Sequence, residues 1–290
     1  MAGDSARWSD LATQVRTAEA VGFDSVWIPD HLLYRFEGMQ PFGIWECWSL
    51  VAAVAAITER VQIGTIVAVT SFRNPALLAK MADTADEICN GRLILGLGAG
   101  SHEPEYAAFG YPWQKRVSHF EEAIQIIHGL LRTGAIDFDG AYFTARDCEL
   151  RPRGPRPHGP PFMVGTRGPR MLRLTARYAD DWNIAWRHTV EDVVAQYSLG
   201  EDACAAVGRD FQTLTKSAAL QIDLPGKRGY PGREWMAGSR AEAIGGSYAQ
   251  IADTLRAYHQ AGVSHIQCWI DPSTPHGIEE FGRVLELLNA

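Results

Sequence analysis

The sequence predicts an α/β fold, a (β/α)8 barrel of the TIM type that forms one domain over residues 1–290, with an insertion at about 99–160 and no first strand. Three observations lead there. Short apolar strand candidates alternate strictly with helix candidates, the order that makes a parallel sheet with crossover helices. Strands such as "VQIGTIVAV" are apolar almost throughout, as expected of strands covered on both faces. Polar and ionisable residues gather just past the strands, at the end where a barrel carries its chemistry.

The elements follow in order. Helix Trp8–Val21 comes first, with Leu11, Val15, Ala18 and Val21 on one face and Gly22 ending it. "DSVWIPD" is a short strand that closes at Pro29-Asp30. "WECWSLVAAVAAITER" is an alanine-rich helix, and "VQIGTIVAV" is the next strand. Pro75 suits the first turn of "PALLAKMADTADEICN", which stops at Asn90-Gly91. "LILGLG" is the strand before the insertion. The 99–160 stretch is expected to hold one helix at about 116–132 and a hairpin around "IDFDGAYFTA", turned at Asp139-Gly140. "RPRGPRPHGPP" reads as a stiff loop. Then come strand "PFMVG" with helix "PRMLRLTARYAD", strand "DWNIAW" with a helix near 190–207, and strand "TKSAALQID" with a glycine- and arginine-rich loop at 225–240. Helix "SYAQIADTLRAYHQAG", strand "HIQCWI" and a helix at about 277–289 complete the chain. Eight helices against seven strands leave a strand wanting before the first helix, and residues 1–7 are too polar to supply it. The expectation is a start of translation further upstream. A doubly wound open sheet needs no such strand and stands as the alternative.

A net charge of −7 argues against nucleic acid or an anionic membrane as the main partner. No apolar run approaches the roughly 18–20 residues that span a bilayer, and "MAGDSARWSD" lacks the pattern of a secretory signal. The five cysteines are scattered without a CxxC pair, which reads as free thiols in a cytoplasmic protein with no metal site. The expected partner is a small molecule.

The strand ends collect Asp30 and His31; Thr70, Ser71, Phe72 and Arg73; Gly98, Gly100, Ser101, His102 and Glu103; Gly165, Thr166, Arg167 and Gly168; and Trp186, Arg187 and His188. In "RLILGLGAGSHEPEY" the spacing is G-x-G-x-G, Ser101 stands where a third dinucleotide-binding glycine belongs, and Pro104 precedes any clear helix. A Rossmann fingerprint is therefore a poor match. Glycine at a strand end lets a flat ring approach the backbone, which favours a planar cofactor across the barrel mouth; a small-residue layer inside the barrel accounts for Gly96 and less fully for Gly98, and not for Ser101-His102-Glu103. "MVGTRGPRMLR" is an ordinary βα turn or a phosphate site at a helix N-terminus, with Arg167 as a charge-assisted partner. His119, His128, His259 and His265 read as structural or solvated, and Trp45, Trp48 and Trp113 as core residues or a substrate wall.

Taken together, "AEAVGFDSVWIPDH", "ITERVQIGTIVAVTSFRNPALLAKMADTADEICNGRLILGLGAG" and "GGSYAQIADTLRAYHQAGV" resemble the luciferase-like flavin and deazaflavin oxidoreductases, over nearly the whole chain. Among these the pattern is most similar to members that use coenzyme F420, a 5-deazaflavin. The resemblance implies a (β/α)8 barrel with an insertion, hydride transfer between F420 and a small organic substrate, and a homodimer. It also implies site residues. Asp30 and His31 would meet the ring, a non-proline cis peptide would stand at Ile66-Val67, and Gly98, Ala99 and Gly100 would line the ring and its side chain. Gly165, Thr166, Arg167 and Gly168 would hold the phosphate. His31, His102 and Glu103 are the candidate proton donors or acceptors, and Arg73, Arg167, Arg170 and Arg187 the cations available to the acidic tail. The substrate pocket would draw on loops 32–46, 99–115 and 225–240. The alternatives are an FMN-dependent monooxygenase of the same superfamily using reduced flavin and O2, and a non-catalytic barrel.

Overall fold

The computed structural model describes residues 6–184, 189–226 and 243–290. Its helices are α1 (Trp8–Val21), α2 (Cys47–Ile57), α3 (Pro75–Ile88), α4 (Glu103–Phe109), α5 (Arg116–Thr133), α6 (Pro169–Tyr178), α7 (Val190–Val194), α8 (Tyr197–Ala205), α9 (Tyr248–Gln260) and α10 (Pro275–Asn289). The strands are β1 (Ser25–Ile28), β2 (Gln62–Thr65), β3 (Ala68–Val69), β4 (Leu93–Gly98), β5 (Ala135–Asp139), β6 (Thr144–Glu149), β7 (Phe162–Gly165), β8 (Asp181–Asn183), β9 (Thr215–Asp223) and β10 (His265–Asp271). One sheet runs β1-β2-β4-β7-β8-β9-β10, with β3 set against β4 and every pairing parallel. The helices between these strands make it a TIM-type barrel wall, as expected, rather than a doubly wound open sheet.

Several boundaries differ from the sequence reading. The strand expected over 61–69 breaks at Ile66-Val67 into β2 and β3. The 99–160 stretch holds two helices, because Glu103–Phe109 forms a short one ending at Gly110 in the left-handed conformation. The helix expected near 190–207 is interrupted at Ala195-Gln196. The hairpin at 135–149 is present as an antiparallel pair with a bulge. The 225–240 loop lies mostly outside the described residues, as do Trp186, Arg187 and His188.

Local chemistry explains the helix starts. Asn74 accepts the Ala76 and Leu77 N–H groups ahead of Pro75 in α3, and Glu46 accepts those of Trp48 and Ser49 in α2. Ser247 and Gln250 form a reciprocal capping box on α9. Alternate strand residues then bury themselves under these helices. Ile63, Leu93, Leu95, Leu97, Phe162 and Val164 join α2, α3 and α5 in one apolar core, while Ala218, Leu220, Ile222 and Ile270 join α9 and α10 in a second.

The opposite face of the strands, turned inward, is small and polar. Asn183 donates to Ser217 Oγ (3.1 Å) and to Gln267 Oε1 (2.8 Å), and Ser217 in turn contacts Met163 Sδ at 3.7 Å. A Cβ at Gly64 would overlap the Trp27 ring, and one at Gly96 would overlap the Thr65 carbonyl oxygen and Met163. The interior is thus filled by Trp27 and Met163 lying over glycines, not by stacked branched aliphatic layers.

Among the described residues β1 and β10, the two ends of the sheet, share no backbone ladder. Side chains bridge them instead. Trp27 Nε1–H donates to Ser25 Oγ (2.8 Å), Ser25 Oγ meets His265 Nε2 (2.8 Å), and the Trp27 and His265 rings stand edge to face at 5.4 Å. Burial lowers the His265 pKa, which keeps the ring neutral as the acceptor of the Ser25 hydroxyl hydrogen. Outside this seam α1 and α10 close the wall through the Phe23–Phe281 stack and the Gln14 amide on the Ser273 carbonyl.

Candidate active site

The C-terminal end of β1 leads directly to Asp30 and His31, and the two adjacent side chains have different uses. Asp30 is fully buried. It accepts the Val69 N–H (2.9 Å) and forms a two-pronged pair with Arg73 (2.6 and 3.0 Å). Arg73 also reaches Glu46 at 2.5 Å, so the Asp30–Arg73–Glu46 cluster ties the end of β1 to β3, through the Val69 N–H on Asp30, and to the start of α2. Burial alone would lower the Arg73 pKa; its two carboxylate partners outweigh that and raise it. Arg73 is therefore committed inside the protein, and the expectation that it serves an acidic cofactor tail is corrected.

His31 faces a partner that sequence reasoning missed. Its Nδ1 lies 2.9 Å from Glu105 Oε1, and the Leu32 N–H donates to Glu105 Oε2 at 2.8 Å. The Glu105 side chain is 0% exposed against 23% for His31, so the pair runs from the interior out to the mouth. His31 Nε2 makes no hydrogen bond among the described residues. The neighbouring candidates have other positions. Glu103 is exposed at the first position of α4. His102 Nε2 accepts the Arg35 N–H at 3.0 Å, and burial lowers its pKa against the opposing pull of Glu105.

The loop from residue 29 to 46 folds back on itself through an antiparallel bridge between Tyr34 and Phe42. The Tyr34 ring lies 4.6 Å from His31, 4.9 Å from Phe42 and 5.7 Å from His102, so loops 32–46 and 99–115 meet in an aromatic wall beside His31. The three tryptophans have separate settings, and Trp48 takes the core position the sequence allowed. Trp113 packs on Tyr106 and under Arg116, and Trp45 is 56% exposed with its indole N–H on the Ala6 carbonyl.

The peptide Ile66-Val67 is cis, as the resemblance implied. Val67 is the residue that meets the glycine-lined strand ends. A Cβ at Gly98 would lie 2.4 Å from its side chain, and one at Gly165 would lie 3.2 Å away. Gly100 has φ +79°, and a Cβ there would strike the Tyr106 hydroxyl, which donates to the Ala99 carbonyl. Gly98 and Gly165 are thus required by the close approach of Val67, and Gly100 by that of Tyr106. Val67 stands over Gly98 and Gly165, and three residues further on the buried Thr70 hydroxyl has no partner among the described residues.

The loop Gly165, Thr166, Arg167, Gly168 ends on α6. Gly168 caps that helix with no side-chain bond, and nothing lies within 4 Å of a Cβ built on it. The Thr166 carbonyl accepts the Trp182 indole N–H at 3.2 Å, which fixes the loop from below. Arg170 is not a free cation here; it pairs with Glu121 and Ser118. Among the described residues no group of three or more His, Cys, Asp or Glu is gathered for a metal, no helix is long and apolar enough to cross a membrane, and all five cysteines are unpaired.

A family model for luciferase-like monooxygenases matches residues 1–223. The chain belongs to that family. Among its curated relatives, this luciferase-like chain is 30% identical over 218 residues to a 5,10-methylenetetrahydromethanopterin reductase of Archaeoglobus fulgidus, covering 75% of this chain and 61% of that protein. It is 36% identical over 177 residues to an F420-dependent glucose-6-phosphate dehydrogenase of Amycolatopsis mediterranei, covering 59% and 51%. The chain thus spans between half and three fifths of the length of these relatives. Solved structures share the luciferase-like fold over almost the whole chain. An F420-dependent secondary alcohol dehydrogenase in complex with an F420-acetone adduct superimposes with TM-score 0.81 at 20% identity, covering 96% of this chain and 94% of its own. A monooxygenase from Streptomyces bottropensis gives 0.76 at 19% identity, covering 96% and 93%.

Proposed function

We propose that this luciferase-like chain is an F420-dependent oxidoreductase that moves a hydride between the deazaflavin and a small organic substrate, acting as a cytoplasmic homodimer. The observation that carries the reading is the His31–Glu105 pair, a histidine at the barrel mouth held from behind by a buried carboxylate, its Nε2 without a partner among the described residues. Its relatives support the choice of cofactor, since two of those most similar in sequence are an F420-dependent dehydrogenase and a methanopterin reductase.

The residues present fit a planar cofactor with a phosphate. Val67 over Gly98 and Gly165 offers an apolar surface for a ring, Thr70 has a buried hydroxyl with no partner among the described residues, and no described atom lies within 4 Å of a Cβ built on Gly168 at the N-terminus of α6. Coenzyme F420 would supply a hydride acceptor or donor, with carbon at ring position five. The chain's own residues do the rest. Asp30, locked by Arg73 and Val69, fixes the loop that carries His31. His31 Nε2 takes the proton of a substrate hydroxyl as a hydride leaves its carbon, or returns that proton in the reverse direction. Gly165–Gly168 binds the phosphate, and the aromatic wall of Tyr34, Phe42 and His102 excludes water from the His31 side.

The deciding experiment is titration of the purified chain with F420 and with FMN, each followed by quenching of tryptophan fluorescence. Tight F420 binding with weak FMN binding is expected. The reverse moves the protein to the FMN-dependent monooxygenase reading, and binding of neither leaves a non-catalytic barrel.

A further inference from the structure

We infer that Glu105 is the positioning residue of this site: it holds His31 as the Nδ1–H tautomer and presents Nε2 to the mouth as the proton-accepting atom. The inference rests on the proposed role of His31 and adds the group that makes that role possible. Glu105 is 0% exposed, and a carboxylate so deep must have its charge answered by donors. Two surround it, the ring Nδ1–H of His31 and the main-chain N–H of Leu32, one to each oxygen. A clamp serving only to tie loop 29–46 to α4 would be complete with Leu32. The other oxygen instead fixes which ring nitrogen carries hydrogen, because a carboxylate can only accept.

The surroundings leave His31 as the group that responds. Tyr34 and Tyr106 both crowd Glu105, and burial, with Glu105 adding to it, pushes both phenols up, so neither competes as a proton source at neutral pH. His102 has Nε2 spent on the Arg35 N–H, and burial holds its ring neutral. When Nε2 of His31 takes a proton, the resulting imidazolium faces a fixed, buried carboxylate 2.9 Å away. The exposed carboxylate two residues earlier has no such access. At about 100° per residue, Glu103 and Glu105 point to nearly opposite sides of α4.

The test uses the full chain labelled with 15N-histidine. Two-bond 1H–15N spectra at pH 8 distinguish Nδ1–H from Nε2–H rings, and His31→Asn assigns the His31 signals. The wild type is expected to show His31 as Nδ1–H with Nε2 unprotonated, and Glu105→Gln is expected to redistribute the hydrogen toward Nε2. With F420 and a panel of secondary alcohols, Glu105→Gln is expected to lower kcat by about 10²-fold while KM moves less than about threefold. A wild-type Nε2–H tautomer overturns the inference, and it decides the matter even if Glu105→Gln does not fold. So does a folded Glu105→Gln with unchanged tautomer and unchanged kcat. If the tautomer depends on Glu105 but the wild type binds no F420, the proposed function falls while the His31–Glu105 assignment stands.

Discussion

Asp30 and His31 are neighbours in sequence, yet one is sealed in a salt bridge and the other reaches the mouth. That division makes two predictions. Arg73→Met strands the fully buried Asp30 carboxylate and should cost about 3–5 kcal/mol in urea denaturation, most of it recovered in the Asp30→Asn/Arg73→Met double variant. His31→Ala should lower hydride transfer by about 10²-fold or more while costing only about 1–3 kcal/mol of stability, since Glu105 keeps the Leu32 N–H. Equal turnover in variant and parent would remove His31 from the mechanism. The Asp30-His31 pair and the cis Ile66-Val67 peptide were legible because the matching block of sequence runs straight through them. Glu105 was not. Its bond to His31 spans 74 residues, and only the fold brings them together. The available signal was "EPEY" itself, two carboxylates two apart at a helix start, of which only one can face inward.

At the scale of elements, the alternation of apolar runs was enough to place the strands of the barrel and most of its helices. Periodicity failed where a backbone device interrupts a continuous pattern. β2 and β3 read as one strand because the residues on both sides of Ile66-Val67 are apolar and β-branched. The short α4 was lost because Pro104 looks like a stop signal, whereas it occupies the first turn, where its missing N–H costs nothing. Two substitutions test the assignments of element ends. Asn74→Ala removes the acceptor for two N–H groups of α3 and should cost about 1 kcal/mol, read as a lower urea midpoint. Gly168→Ala places a methyl in open space at a backbone conformation any residue adopts (φ −90°, ψ 147°), so stability should move by less than about 0.5 kcal/mol. A marked loss of F420 affinity in that variant would locate the phosphate at α6, and unchanged affinity would exclude the loop.

Across the whole molecule, stability should depend on pH through Asp181, at the start of β8. Burial raises its pKa from an ordinary carboxylate value to about 6, and Oδ1 is enclosed without a partner among the described residues. The folded state therefore holds this proton more tightly than the unfolded chain does, and Asp181 makes the protein less stable as pH rises through about 4 to 6. Asp181→Asn should stabilise by about 1–3 kcal/mol at pH 8, with the gain over wild type disappearing below about pH 4. Urea midpoints of the two proteins across this range check it, and a gain independent of pH would show that ionisation is not the cause. The seam between β1 and β10 has a different consequence. A closed barrel is a hoop whose girth is set by an unbroken ring of backbone bonds. Here the described chain has a clasp, in which Trp27, Ser25 and His265 fasten two strand edges that do not pair. Stiffness ends where the ring of bonds ends, so deuterium should enter first along Ser25–Ile28 and His265–Asp271 and last at β4 and β7 on the far side of the hoop.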